Sequence, residues 1–238
     1  MIYKSVKKLM TLVLYQGKIG DLIRNKRKMA VVIFEGQKQD CDIGDLLHIP
    51  TEILEPAEKI TCYYQNKAVM VKKIMRKNAI VTFKSDRRQE KTVPLTDLKV
   101  NREARIVQYF LEQYLKLVKD IHKDIFESLF TTDRVAFQYF NAVIQEGKKT
   151  YGRMGSILLR LYPEITINNY YQHTKKLSLF DIFTHREHKE LRIDIMETIY
   201  HELLHIPFNA HTTNCIHGGH FAHYEKKFRK EDCANRIW

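Results

Sequence analysis

The chain has 238 residues, 44% of them hydrophobic and 11% aromatic, with a net charge of +12. That apolar content supports packed cores and argues against global disorder. Nine glycines and five prolines exclude collagen-like and low-complexity classes. No apolar run approaches the roughly 18 residues needed to span a bilayer. The lysine-rich start has a short apolar stretch, Leu9 to Leu14, but no small-residue cleavage site follows it. Cys41, Cys62, Cys215 and Cys233 are widely spaced and form no C-x-x-C pair. That pattern fits a reducing cytoplasm rather than a disulfide scaffold or zinc ribbon.

Charge is uneven along the chain. Residues 1–100 hold 20 Lys and Arg against 11 Asp and Glu, a net +9; the remaining 138 carry only +3. A concentrated positive field suggests an anionic partner, most often nucleic acid.

The same region contains a repeat. At an offset of 49, Tyr15, Gln16, Lys18, Arg27, Lys28, Ala30, Val32 and Phe34 match Tyr64, Gln65, Lys67, Arg76, Lys77, Ala79, Val81 and Phe83. After a three-residue insertion, Ile43, Asp45 and Leu46 align with Leu95, Asp97 and Leu98. Such self-similarity implies a duplicated supersecondary unit. Residues 29–34 and 78–83 are β-branched and aromatic-rich and read as strands. The polar stretches 35–40 and 84–91 read as turns.

Units of this length with several short strands suggest small barrels. The run "AIVTF" followed by "KTVPLTDL" resembles SH3-like barrels of the Tudor or KOW type. Lys72, Lys73, Arg76, Lys77, Arg87 and Arg88 cluster around the second unit's predicted turns. Lys72, Lys73, Arg76 and Lys77 are the candidate phosphate contacts.

Apolar residues from Ile106 to Ile125 follow a 3.6-residue period, so 104–130 reads as a helical connector. Thr132-Asp133 resembles a helix cap, with a helix expected over 134–146 and stopped by Gly147. Residues 164–168, after Pro163, read as a short strand.

His201-Glu202-Leu203-Leu204-His205 is an H-E-x-x-H string. Ile193, Met196, Ile199, Tyr200, Leu203 and Leu204 give its segment an apolar helical face, ended by Pro207. On a helix, positions i and i+4 project from one face and can bite one metal. Zinc takes three protein ligands and leaves one position open, where bound water ionises near neutral pH. Glu202 would act as general base and pass the proton to the leaving amine. For the third ligand, His211 lies six after His205, as in metzincins, but Phe208 stands where those carry glycine. Glu225 lies twenty after His205, near thermolysin-like spacing, in a segment too short for that catalytic domain. His217 lies twelve after, and Gly218 and Gly219 let the backbone turn sharply there. His217 is the preferred ligand, with His211, His223 and Glu225 as alternatives. His220 and His223 read as partner or surface histidines, and Phe221 to Lys230 as a resumed helix.

"HELLH" followed by "HGGHFAHYEKKF" resembles the SprT-like metalloprotease family, which includes Spartan. "AFQYFN" (136–141) and "ITIN" (165–168) are similar to that family's first helix and the strand before its active-site helix. The resemblance covers about 133–232. His220 and the long, histidine-rich 170–192 depart from the pattern. The resemblance implies a zinc-dependent, DNA-associated protease acting on proteins crosslinked to DNA.

The expected architecture is multidomain: two small SH3-like β-barrels (1–52 and 53–101), a helical connector (102–131) and a mainly helical α+β zincin-type metalloprotease domain (132–238). The expected function is a zinc metalloendopeptidase, with Zn²⁺ on His201, His205 and His217 and Glu202 as base. Its partners would be a protein or peptide substrate and nucleic acid, with no membrane, in the cytoplasm or associated with nucleoid or nucleus. One alternative is a non-catalytic nucleic-acid-binding or regulatory protein with structural zinc. Another is a zinc peptidase whose barrels bind a protein.

Overall fold

The computed structural model describes residues 11–86, 88–130, 142–147, 155–158, 163–168, 177–208 and 217–237. The chain divides into two compact units, Met1–Ile106 and Val107–Trp238. Among the described residues no helix is long and apolar enough to cross a membrane.

The first unit holds two five-stranded antiparallel sheets. One contains β1 (Thr11–Tyr15), β2 (Lys18–Lys26), β3 (Met29–Phe34), β4 (Gln37–Asp42) and β5 (Leu47–Ile49), in the order β4-β3-β2-β1-β5. The other contains β6 (Thr61–Tyr64), β7 (Lys67–Ile74), β8 (Asn78–Phe83), β9 (Glu90–Pro94) and β10 (Leu98–Val100), in the order β10-β6-β7-β8-β9. Four strands meander and the fifth returns to the first in each case. No pairing joins the outer strands among the described residues, so neither sheet closes into the full barrel expected from the sequence.

The repeat is visible in backbone detail. Gln16 and Gly17 have φ of 48° and 76°, and Gln65 and Asn66 have 49° and 62°. Two consecutive left-handed residues make the tight hairpin turn that matches strand twist. Bulges fall between Leu22 and Arg24 and between Val71 and Lys73, again 49 apart. The three-residue insertion lengthens the connection between β8 and β9, where β3 and β4 need only Glu35-Gly36. Most of the polar stretch 35–40, expected as a turn, is therefore β4. It is an edge strand with only Cys41 buried, so it lacks the alternation that would have marked it. The cores are Val13, Ala30, Val32, Phe34, Cys41 and Leu46 in the first sheet, and Cys62, Tyr64, Val69, Val71, Ala79, Val81, Val93 and Leu98 in the second. A Cβ at Gly20 would lie 2.5 Å from Val32 Cγ1 and 2.6 Å from Phe34 Cε1, so Phe34 packs over a glycine. Val69 stands at the matching place, and there Phe83 is only half-buried.

Helices α1 (Arg102–Ile121) and α2 (Lys123–Phe130) follow. Asn101 Oδ1 accepts the Ala104 N–H and starts α1. The expected single helix over 104–130 is interrupted only at His122, and bonds from His122 N to Val118 O and Phe126 N to His122 O carry the ladder across.

The second unit has a small mixed sheet: β11 (Val143–Gly147) runs parallel to β13 (Glu164–Asn168), and β12 (Gly155–Leu158) antiparallel to it. Most of the helix expected over 134–146 lies outside the described residues, as does 136–141; its last residues are strand, not helix. Ile144 is buried between exposed Val143 and Gln145, and pairing with β13 overrides the helix preference of Gln145-Glu146. Gly147 does not stop a helix. It lies in the sheet, where a Cβ would overlap Thr166 Cγ2. The strand expected at 164–168 is β13, with the same ends.

Helices α3 (Leu179–Thr184), α4 (Lys189–Leu204), α5 (Gly219–Glu225) and α6 (Lys230–Ala234) complete the unit. Ser178 and Asp181 close a capping box on α3. The expected single helix over 221–230 is split by a turn between α5 and α6. Helix α4 packs on β12 and β13. It is buried around most of its circumference rather than on one face, with Arg192 at 0% and Glu202 at 6% exposure. The Arg192 guanidinium donates to Ile182 O (2.7 Å), His185 O (2.6 Å) and Arg186 O (3.2 Å). It thereby ties α4 to the end of α3. Arg192→Met should lower the unfolding free energy by about 3 kcal/mol, since buried carbonyls would lose charged donors. A denaturant midpoint equal to wild type would show that water replaces the guanidinium.

Candidate metal centre

Helix α4 places His201 and His205 one turn apart on the same face. Their Nε2 atoms are 3.3 Å apart. The chain returns at His217, whose ring centroid lies 5.0 Å from that of His201 and 5.1 Å from that of His205. The three histidines each offer a ring nitrogen, and these atoms all lie within 4.8 Å of one another. The triad could therefore hold a metal ion.

Of the alternatives for third donor, His211 lies outside the described residues. His223 is exposed on α5, against the Tyr224 ring. Glu225 bonds His201 Nδ1 at 2.6 Å, on the side of the ring away from the triad. The two glycines after His217 are not used as expected. Gly218 has φ −64° and ψ 176°, ordinary extended backbone, and a Cβ on Gly219 would meet nothing within 4 Å.

The site's surroundings are apolar on one side and acidic on the other. Phe221, 2% exposed, puts its ring 4.8–5.1 Å from all three imidazoles. Burial, then the neighbouring His201 and His217, push the His205 pKa down to about 4. His205 is thus neutral at neutral pH, the form that binds a metal. Its Nδ1 is buried and has no hydrogen-bond partner among the described residues. Glu202 lines a cleft of ≈ 470 Å³ with His201, Glu225, Asp194 and Glu197.

Two clamps fix this geometry. Tyr200 on α4 donates its hydroxyl to Tyr224 O on α5 at 2.7 Å. Lys230 at the start of α6 reaches Asp194 at 2.9 Å and Glu197 at 3.1 Å. His122 supports Tyr200 from behind, with ring centroids 4.6 Å apart. Neither clamp carries a sequence motif. Phe221 was detectable, standing four residues after His217 at the start of a helix.

The four candidate phosphate contacts lie in the other unit. Lys72 and Lys73 are exposed on β7 at its bulge, while Arg76 and Lys77 are exposed in the β7–β8 turn. The first two are therefore strand residues rather than turn residues. Lys72 and Lys84 flank a shallow groove of ≈ 290 Å³ floored by Met70, Thr82 and Phe83. Arg88 is exposed; Arg87 lies outside the described residues. In comparisons with known proteins, the chain matches no family model and no curated protein.

Proposed function

We propose that this protein is a zinc metalloendopeptidase whose basic N-terminal sheets recruit it to nucleic acid. The observation that carries the reading is the convergence of His201, His205 and His217 beside the cleft-lining Glu202. Three neutral-capable nitrogen donors suit zinc, and three protein donors are the number found in catalytic rather than closed structural sites. That count, made among the described residues, favours hydrolysis over the alternative of structural zinc in a non-catalytic protein. Zinc, when bound, supplies Lewis acidity toward a peptide carbonyl and an attacking water.

The rest is done by the chain. His205 binds as a neutral imidazole, and Phe221 keeps water from the far side of the three rings. Glu202 takes a proton from the attacking water on its carboxylate and hands it to the departing amine. The acidic cleft holds the peptide on the Glu202 side of α4.

The small-sheet units, each a meander whose last strand returns to the first, support the SH3-like reading. A histidine-bearing helix packed on a small sheet supports the zincin reading. Together with the likeness to SprT-like proteases, they make proteins attached to DNA the proposed substrate class and cytoplasm, nucleoid or nucleus the proposed location. Purified protein should carry stoichiometric zinc, and His217→Ala should lose it. Zinc retained in His217→Ala but lost in His211→Ala would move the third ligand to His211.

A further inference from the structure

The identities in the repeat are of two kinds. Ala30 and Ala79, and Val32 and Val81, are buried and explained by packing. Gln16 and Gln65 open left-handed turns. Burial explains neither Arg27 and Arg76 nor Lys28 and Lys77, and because Arg27 is left-handed at φ 40° while Arg76 is not, a shared turn backbone does not explain that identity either. All four are exposed, at the tips of the β2–β3 and β7–β8 hairpins. The same offset aligns Arg24 with Lys73, each exposed and each directly after a bulge. Near their tips the two hairpins therefore carry three cations at the same three places, while the shared Lys18 and Lys67 lie at the far ends of β2 and β7. Lys72 is outside this shared set, because Ile23 stands opposite it.

The main chain gives no reason for these side chains. Ile43 N donates to Lys28 O at 2.9 Å and Leu95 N to Lys77 O at 3.0 Å, pinning both tips to the turn before the last strand. Any residue could accept those bonds. None of the six cations makes an ion pair among the described residues. Two hairpins, each pinned at its tip, thus present unpaired cations at the same register positions.

We infer that the hairpins form a duplicated phosphate-contacting surface, so that Arg24, Arg27 and Lys28 of the first repeat bind nucleic acid alongside Lys73, Arg76 and Lys77 of the second. This rests on the nucleic-acid reading above. Each cation displaces counterions from the phosphate backbone, and guanidinium groups add bidentate geometry. Two such surfaces on one chain make the second contact intramolecular, which raises avidity without a new kind of contact.

The test uses the full chain and a mixed-sequence DNA duplex, with affinity measured across a salt series. R24Q/R27Q/K28Q and K73Q/R76Q/K77Q should each lower affinity about tenfold or more near physiological salt. Each should flatten the log–log salt slope by up to about 0.9 per cation removed. The six-fold variant should lose most of the salt-dependent binding. R24K/R27K/K28R keeps the charge and should bind nearly as wild type, which separates charge from fold damage. If the first-hairpin variant binds as wild type while the second weakens, the duplication inference is overturned and the nucleic-acid reading stands. If wild type fails to bind, or all variants bind equally, both fall, and protein recognition takes their place.

Discussion

Glu202→Gln should retain zinc and lose about 10²–10⁴-fold in turnover of a protein or peptide substrate. Glutamine keeps the size of the side chain and its capacity to accept hydrogen bonds, so the 6%-exposed site on α4 need not repack. What it loses is a group that can take and return a proton. His201 and His205 flank position 202 on α4 and should hold their places. Metal content, measured beside turnover, therefore separates a lost base from a damaged site. Wild-type turnover in the variant would remove Glu202 from the chemistry. No turnover in either protein, with zinc present, would favour the structural-zinc alternative.

The parts of this molecule legible in the sequence are those in which one residue type has one physical use. The β-branched and aromatic-rich runs 29–34 and 78–83 are β3 and β8, with the same ends. The i,i+4 histidines could meet one ion only from a helix, and α4 provides it. What stayed hidden depends on tertiary partners. β4 is polar because it is an edge, and β11 is a strand because β13 lies beside it. Arg192 is charged yet fully buried, because the carbonyls of Ile182, His185 and Arg186, at and just after the end of α3, converge on it once the chain turns between α3 and α4. The glycines after His217 predict a sharp turn there, yet Gly218 has ordinary extended backbone angles. The position of His217 follows instead from the Tyr200–Tyr224 bond and the Lys230 clamp, which seat α5 and α6 on α4.

Glu225→Ala should weaken zinc binding by about 10–100-fold, the range for losing a carboxylate behind a ligating histidine. The Glu225 carboxylate lies 2.6 Å from His201 Nδ1. When Nδ1–H donates to it, the Nε2 lone pair is left facing His205 Nε2 and His217, and the ring cannot turn away without breaking the bond. The carboxylate also makes the imidazole a stronger base toward a metal. Glutamine at 225 can still accept the Nδ1–H bond but brings no charge, so Glu225→Gln should fall between alanine and wild type. Affinity is best read by competition with a chromophoric chelator at fixed pH. Glu225 is 45% exposed and its partner 28% exposed, so the pair contributes little to folding, and the metal-free unfolding midpoint should barely move. A drop in zinc affinity at constant metal-free stability is the signature of a positioning residue. Equal zinc affinity in wild type, Glu225→Gln and Glu225→Ala would mean that the His201 ring is oriented by α4 and Phe221 alone.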